Sequence, residues 1–289
     1  MTEYRVRSTE YPVQPDLFPA ESRPDPLRPP RRSGYHLSTS PSPAPPRPPV
    51  MHRQYHRWFS PSLGRDMELL EYGHGGATVI VFPTSYARFH EWEDRGMMGC
   101  IGHGLERGWF HVILVDTVDS EAWYNKRAHP GYRAWRQEQY DGYIVNEVLP
   151  FAKWRNPHPY TITVGASFGA YHALDIGLRH PDRVNRILAM SGLCDIRRFT
   201  DGFYNDTVYF HNPIDFIGGE SDGWRLHHLR QQDIILAVGN GDGLVHQNRE
   251  LSGKLWGKGI GNALREWDGF AHDWPVWHRM FPMYLGGRD

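Results

Sequence analysis

The feature that most constrains the fold is a series of short apolar segments that alternate with longer stretches of helical periodicity. The strand-like segments span residues 78–82, 110–115, 160–164, 186–190, 234–238 and 263–267. They are apolar along most of their length, which is typical of parallel strands that are covered on both faces. The pattern predicts an α/β fold, with a mainly parallel sheet and helices on both faces.

Predicted helices lie between these segments, and a hairpin precedes them. Residues 133–153 form the clearest helix, because large apolar side chains recur there at helical spacing, as Tyr140, Ile144, Val148 and Phe151. The other predicted helices span residues 91–107, 168–179, 247–257 and 275–285. Residues 58–60 and 67–72 flank a turn that contains Gly64, which predicts an opening β-hairpin.

Two regions depart from this alternation. Residues 1–50 include the Pro-rich stretch 41–49, and proline lacks the N–H that helices and sheets need, so we expect a disordered or polyproline-like tail. A translation start at Met51 is an alternative, and either way residues 51–289 form the folded domain. Residues 195–232 are polar, aromatic and Gly-rich, and they precede the strand at 234–238, which predicts a lid-like insertion.

Composition and charge exclude several classes of partner. With 32 Lys and Arg against 33 Asp and Glu, the chain offers no electrostatic reason to bind nucleic acid or an anionic membrane. The polar amino terminus does not resemble a signal peptide, and no apolar run approaches the ~18 residues of a membrane span. We therefore expect a cytoplasmic protein in which Cys100 and Cys194 are buried thiols. The oligomeric state does not follow from the sequence.

The sharpest local motif is Gly165-Ala166-Ser167-Phe168-Gly169, which fits Gly-x-Ser-x-Gly. A β-branched segment precedes it and a helix-compatible segment follows it. This context is what a nucleophile elbow requires, because the serine must sit on a tight strand-to-helix turn with its hydroxyl clear of the sheet. The alternative is an ordinary Gly/Ser turn, and the context favours Ser167 as a nucleophile.

A serine nucleophile needs a general base and an acid that orients the base. His272 follows the last predicted strand, in a loop before the last helix, and is the candidate base. Asp242 lies in a Gly-rich turn after the strand at 234–238 and is the candidate acid. Asp195, after the preceding strand, is an alternative acid, and His246 is an alternative base.

The remaining site residues are predicted from their positions. The backbone N–H of Phe168 is one candidate donor to a developing oxyanion, and that of Ser85 or Tyr86, after the strand at 78–82, is the second. Aromatic side chains of the insertion, together with one just before the last predicted helix, are expected to form the substrate pocket. These are Tyr204, Phe210, Trp224 and Trp274.

Three motifs together resemble a known family. They are the elbow at Gly165–Gly169, the turn from Gly239 to Asp242, and His272-Asp273-Trp274-Pro275-Val276-Trp277. They are similar to those of the esterase family that includes esterase D (S-formylglutathione hydrolase), feruloyl esterases and mycolyltransferases. The resemblance spans about residues 51–285.

The resemblance implies an α/β-hydrolase fold, the triad Ser167, Asp242 and His272, and acyl-ester chemistry without a cofactor or metal. The leading hypothesis from the sequence is therefore an esterase that acts on a small-molecule ester. Acyl transfer by the same triad is one alternative, and a non-catalytic binding protein on the same fold is the other.

Overall fold

The structure, a computed structural model, describes residues 52–286. The predicted Pro-rich tail at residues 1–50 and the alternative start at Met51 lie outside the described residues.

A mixed eight-stranded sheet forms the centre of the described chain. Its strands are β1 (Arg53–Ser60), β2 (Arg65–Tyr72), β3 (Ala77–Phe82), β4 (Phe110–Val115), β5 (Thr161–Ala166), β6 (Arg186–Met190), β7 (Asp233–Gly239) and β8 (Ala263–Trp267). They lie in the order β1-β2-β4-β3-β5-β6-β7-β8. The hairpin β1–β2 is antiparallel and β2 runs antiparallel to β4, whereas all other neighbours are parallel. The prediction of an α/β fold with a mainly parallel sheet is confirmed.

The helices are more broken than the sequence pattern predicts. They are α1 (Glu91–Asp94), α2 (Met97–Cys100), α3 (Gly102–Glu106), α4 (Pro130–Tyr143), α5 (Leu149–Arg155), α6 (Phe168–Arg179), α7 (Asp206–Phe210), α8 (Pro213–Gly219), α9 (Gly223–Leu229), α10 (Val245–Gly257) and α11 (Trp274–Leu285). The prediction of one helix over residues 91–107 is wrong, because Gly96 between α1 and α2 adopts a left-handed conformation with φ +74°. A π-helical turn at Ile144–Val148 joins α4 to α5, just before Pro150, which lacks the N–H that would continue a regular ladder.

Helices cover both faces of the sheet, as the apolar strands require. On one face, side chains of α4, α6 and α10 such as Tyr140, Leu174 and Leu251 pack in one buried cluster. On the other face, side chains of α1 and α11 such as Trp92 and Phe281 pack in a second cluster. Strands buried on both sides explain why the apolar runs lack the alternation of a half-exposed sheet.

The segment at residues 195–232 folds into short elements. They are a 3₁₀ turn at Arg197–Phe199 and the helices α7, α8 and α9. The segment connects β6 to β7.

Two further expectations concern the thiols and the membrane. Cys194 is buried as predicted, but the prediction for Cys100 is wrong, since it lies at the end of α2 and is partly exposed. Within residues 52–286, no helix combines the length and the apolar character that crossing a bilayer demands.

Candidate active site

Ser167 stands on a strained turn between β5 and α6. Its backbone has φ +56° and ψ −117°, and its N–H donates to the Met190 carbonyl over 2.9 Å. A Cβ on Gly165 would overlap the Gly169 carbonyl carbon, so the turn closes only with glycine at that position. The motif is therefore present as the tight strand-to-helix turn that its sequence context predicts.

The structure brings Ser167, His272 and Asp242 together. The distance from Ser167 Oγ to His272 Nε2 is 3.0 Å, and that from His272 Nδ1 to Asp242 Oδ2 is 2.7 Å. The Asp242 side chain is 3% exposed and the His272 side chain 20%, so the carboxylate is sequestered while the imidazole reaches the surface of the site. Asp242 Oδ1 accepts the Leu244 N–H over 2.9 Å, which leaves Oδ2 to the histidine.

The turn that bears Asp242 and the loop that bears His272 are bound directly to each other. The Gly241 N–H donates to the Gly269 carbonyl over 2.8 Å, and a Cβ on Gly239 would overlap the Phe270 carbonyl oxygen. Glycine at position 239 thus permits the close approach of two loops that are distant in sequence. The approach sets the short distance between His272 and Asp242.

The alternative acid and base lie elsewhere in the structure. Asp195 accepts hydrogen bonds from the backbone N–H and the guanidinium of Arg197, over 2.9 and 3.0 Å. His246 is an exposed residue in the first turn of α10. Among the described residues, neither forms a hydrogen bond with Ser167 or His272.

The predicted donors for an oxyanion lie at the amino terminus of α6 and in the loop after β3. The Phe168 N–H, at the first position of α6, has no hydrogen-bond partner within residues 52–286. The Tyr86 N–H donates to Asp119 Oδ2 over 3.3 Å, whereas the Ser85 N–H has no such partner in that range. Of the two predicted second donors, Ser85 is therefore the one that remains available.

Asp119 and His172 support this loop and were not recognised in the sequence. Asp119 Oδ1 lies 2.8 Å from His172 Nε2, and both side chains are almost fully buried. His172 is on α6 and its ring packs edge-on against Phe168, 5.1 Å between centroids. The pair thus links the loop of Tyr86, which has φ +62°, to the helix that follows Ser167. The available signal was the position of Asp119 after β4, at the same edge of the sheet.

Aromatic rings form a wall next to Phe168. The Tyr124 ring lies 4.8 Å from that of Phe168, 4.9 Å from that of Phe199 and 4.3 Å from that of Tyr86. The Tyr124 hydroxyl lies 2.7 Å from Ser85 Oγ, and burial raises the pKa of Tyr124, which keeps the phenol protonated. We call Tyr86, Tyr124, Phe168 and Phe199 the aromatic wall.

His272 has two aromatic neighbours of its own. The exposed ring of Phe270 stacks on the imidazole at 5.6 Å, and the buried ring of Trp277 packs on it at 5.4 Å. The Trp277 ring lies between Trp274 and His272, since Trp274 contacts Trp277 and Trp92. Sequence reasoning missed Phe270, although it lies only two residues before the histidine.

The predicted pocket residues of the insertion are not brought to the triad. Tyr204 is half-exposed and its hydroxyl donates to Asp215 over 2.7 Å, while Phe210 is exposed and its ring contacts Tyr209. The Trp224 ring contacts that of His228 at a tilted angle, within α9. Within residues 52–286, no hydrogen bond or ring contact joins these three predicted residues to Ser167, Asp242 or His272.

The place of Trp224 follows from how α9 is attached. The neighbouring Arg225 donates to the carbonyls of Leu178 and Arg179, over 3.1 and 2.9 Å, at the carboxyl end of α6. With a rise of ~1.5 Å per residue, α6 separates that end from Ser167 by roughly 18 Å. The expectation that Trp224 lines the pocket therefore disagrees with the structure. Its exposed ring lies beside the far end of the helix.

Within residues 52–286, no group of three or more His, Cys, Asp and Glu side chains is arranged to hold a metal ion.

Comparison with known proteins assigns this chain to a family. The family described as "Putative esterase" matches residues 111–286, which include Ser167, Asp242 and His272. An acetyl esterase from Caldicellulosiruptor saccharolyticus is 27% identical over 164 residues, which is 50% of this chain and 61% of the relative. The match thus spans under two thirds of that relative's length.

Solved structures share the fold at low sequence identity. A ferulic acid esterase aligns with a TM-score of 0.66 and 18% identity, over 81% of this chain and 96% of that one. An S-formylglutathione hydrolase from Agrobacterium tumefaciens aligns with a TM-score of 0.68 and 14% identity, over 83% and 95%. These likenesses establish an α/β-hydrolase fold. Because the family match covers more than half of the sequence, the chain belongs to this esterase family.

Proposed function

We propose that this protein is a serine esterase that hydrolyses a small-molecule carboxylic ester. One observation carries the proposal, namely the relay from Ser167 Oγ through His272 to Asp242, with links of 3.0 and 2.7 Å. Hydrogen bonds of this length are within the range needed for proton transfer and for orienting the imidazole. The fold and the family support the same activity.

In the proposed reaction, Ser167 Oγ attacks the ester carbonyl carbon while its proton passes to His272 Nε2. Asp242 stabilises the resulting imidazolium through Nδ1–H. The carbonyl oxygen becomes an oxyanion, which accepts hydrogen bonds from the N–H groups of Phe168 and Ser85. The bond to the alcohol then breaks, and His272 returns its proton to the leaving oxygen.

Hydrolysis of the acyl-enzyme repeats these steps with water. His272 takes a proton from the water as its oxygen attacks the acyl carbon, and the carboxylic acid leaves as Ser167 Oγ regains a proton. All atoms and protons balance without a cofactor. The exposed edge of the imidazole leaves an approach for the water.

The aromatic wall suggests where the substrate lies. Tyr124 and Phe199 contact Phe168, whose N–H is the proposed oxyanion donor. Phe168 and Phe199 are buried, so an apolar or aromatic part of the ester placed against the accessible rings of Tyr86 and Tyr124 is held close to Ser167. The related acetyl esterase and ferulic acid esterase are named for esters with acyl groups of very different size.

A fluorophosphonate probe and an aryl acetate test the proposal directly. Wild-type protein should be labelled at Ser167 and should hydrolyse p-nitrophenyl acetate. Ser167→Ala should abolish labelling and lower kcat on the order of 10⁴-fold, as for removal of a triad serine. Mass spectrometry of the labelled peptide and initial rates are the measurements.

Ser221→Ala is the matched control, since Ser221 is an exposed serine of the insertion. It should retain both labelling and rate. Retained activity in Ser167→Ala would exclude the mechanism, and an inert wild-type protein would favour a binding role. Formation of a new ester when an alcohol is added in excess would instead point to acyl transfer.

A further inference from the structure

The indole of Trp277 is buried behind His272 and makes one directed hydrogen bond. Trp277 is 4% exposed, and its Nε1–H donates to Ser191 Oγ over 3.0 Å. The two residues are 86 positions apart, so the bond joins α11 to the end of β6. The ring itself packs against the imidazole of His272.

Ser191 passes this hydrogen bond on to the histidine loop. Its hydroxyl is fully buried and donates to the Ala271 carbonyl over 2.9 Å. A hydroxyl has a single proton. The Ser191 hydroxyl therefore accepts the hydrogen bond of the Trp277 N–H and donates its own proton to the Ala271 carbonyl. The Ser191 N–H is also held, by the Ala237 carbonyl on β7.

Both ends of the bond between Ser191 and Ala271 have unfavourable backbone conformations. Ser191 has φ +50° and Ala271 has φ +45°, in the left-handed region that favours glycine. Glycine at position 191 would relieve the backbone but would lack the hydroxyl. Strain kept in place by a buried hydrogen bond is a recognised mark of a functional position.

The Ala271 carbonyl belongs to the peptide unit that carries the His272 N–H. Fixing this carbonyl fixes the plane of the peptide, and with it the positions of the His272 N and Cα atoms from which the side chain starts. The imidazole must reach Asp242 on one side and Ser167 on the other, over 2.7 and 3.0 Å. A small rotation of the peptide would lengthen one of these bonds.

We propose that Ser191 and Trp277 are positioning residues that hold the His272 loop in register with Ser167 and Asp242. The inference rests on the proposed esterase function. It assigns a role to the second tryptophan of the His-x-Trp-x-x-Trp segment and to a serine that touches no reacting atom. The Trp277 ring supports the imidazole from behind, and its N–H orients the Ser191 hydroxyl.

The test compares wild-type protein with Ser191→Gly, Ser191→Ala, Trp277→Phe and the double variant of Ser191→Ala with Trp277→Phe. Steady-state hydrolysis of p-nitrophenyl acetate gives kcat and KM, and thermal unfolding gives Tm. Each single variant should lose about 10- to 100-fold in kcat with KM within about twofold, since misplacement of a catalytic group by ~1 Å costs about 10²-fold. The double variant should lose little more than the worse single variant, because the two residues act in one chain.

Ser191→Gly separates positioning from stability. It removes the hydroxyl but relieves the positive φ, so its Tm should equal or exceed that of Ser191→Ala while its kcat stays low. Trp277→Phe keeps a ring beside His272 and tests the N–H alone. If Ser191→Ala does not fold, these two variants still decide the question.

Trp58→Phe is the matched control for loss of an indole hydrogen bond. Trp58 is partly buried on the edge strand β1, and its Nε1–H donates to Glu147 over 2.9 Å. It should retain wild-type kcat. The proposal is overturned if wild-type protein is active and Ser191→Gly and Trp277→Phe have the same kcat as wild type. It is also overturned if Trp58→Phe loses as much kcat as those two variants. An inactive wild type would overturn the esterase function instead.

Discussion

The carboxyl edge of the sheet and the insertion at residues 195–232 are built in different ways. Four of the five non-glycine residues with positive φ in the described chain lie in loops at this edge, namely Tyr86, Ser167, Ser191 and Ala271. Such conformations persist only where surrounding contacts over-determine them. At this edge those contacts are hydrogen bonds between loops that are far apart in sequence.

The insertion is held by apolar side chains such as Phe216 and Ile217, which pack in the core, and by charged groups that bind α4 and α6. Its Asp201, the fifth residue with positive φ, accepts a hydrogen bond from Arg133 over 2.7 Å. Arg225 binds the last carbonyls of α6, and His211 lies 2.8 Å from Asp175 on the same helix. Aromatic residues in an irregular segment therefore do not by themselves indicate a substrate pocket. The strained backbone at strand ends is the better guide.

Replacing one carboxylate with an amide in each region should give the largest difference in kcat. Asp242→Asn should lower kcat about 10³- to 10⁴-fold with little change in Tm, because the amide can present the wrong group to His272 Nδ1. Asp195→Asn should stay within about threefold of wild type, since its carboxylate binds Arg197 rather than the imidazole. Rates on p-nitrophenyl acetate measure both. A larger loss in Asp195→Asn would place the acid in the insertion and reverse the comparison.

The strands and the elbow were predictable because their signals are local. Burial on both faces makes each parallel strand an apolar run, and the elbow is a five-residue motif with a strand before it and a helix after it. Asp242 and His272 were predictable from their position after strands β7 and β8. Their meeting depends on the close approach of two loops, which Gly239 permits.

The proposed substrate pocket was less predictable from the sequence, because it depends on contacts between residues that are distant in the chain. The rings of Tyr124 and Phe199 contact that of Phe168 because the loop after β4 and the 3₁₀ turn pack over α6. Trp224 looked equally suitable in sequence, but Arg225 beside it binds the opposite end of that helix. No periodicity shows which end of a helix an insertion will contact.

We expect the attachment of the insertion to depend on pH, because the fully buried His211 binds the buried Asp175 and the half-exposed Glu138. His211 Nδ1 and Nε2 lie 2.8 Å from carboxylate oxygens of Asp175 and Glu138, with Arg179 adjacent. Burial and Arg179 oppose the charged imidazole, but the two carboxylates outweigh them and raise the pKa of His211. Burial also opposes the Glu138 charge, yet His211 and Arg179 lower the pKa of Glu138 to about 2.

These shifts define when the charges of His211 and Glu138 stabilise the fold. The His211 contribution is complete below the ordinary histidine pKa of ~6.5 and is lost as pH rises through the raised value in the folded state. The Glu138 contribution is complete above its ordinary pKa of ~4.3 and is lost as pH falls toward the lowered value. Both are therefore present together at about pH 5 to 6.

His211→Gln should lower stability but leave catalysis intact. At pH 5.5 we expect a loss of about 2 kcal/mol, because one partner of a buried charged hydrogen-bond network is removed, and hence a fall in Tm of roughly 4–8 °C. The difference from wild type should shrink at pH 9.5. Thermal unfolding at both pH values and kcat at 25 °C are the measurements. A difference in Tm that does not change with pH would show that the His211 charge does not stabilise the fold, and a fall in kcat with a native Tm would tie the insertion to the catalytic edge.

The smallest expected effect is a change in KM. It tests whether any aromatic residue of the insertion other than Phe199 contributes to substrate binding. Trp224→Ala should change KM for aryl acetates less than twofold and Tm only slightly, because the ring is 55% exposed beside the far end of α6. Phe199→Leu should raise KM about fivefold, since it removes the buried ring that supports Tyr124 in the aromatic wall, an effect on the order of 1 kcal/mol. If Trp224→Ala raises KM as much as Phe199→Leu does, α9 reaches the substrate and the two regions form one site.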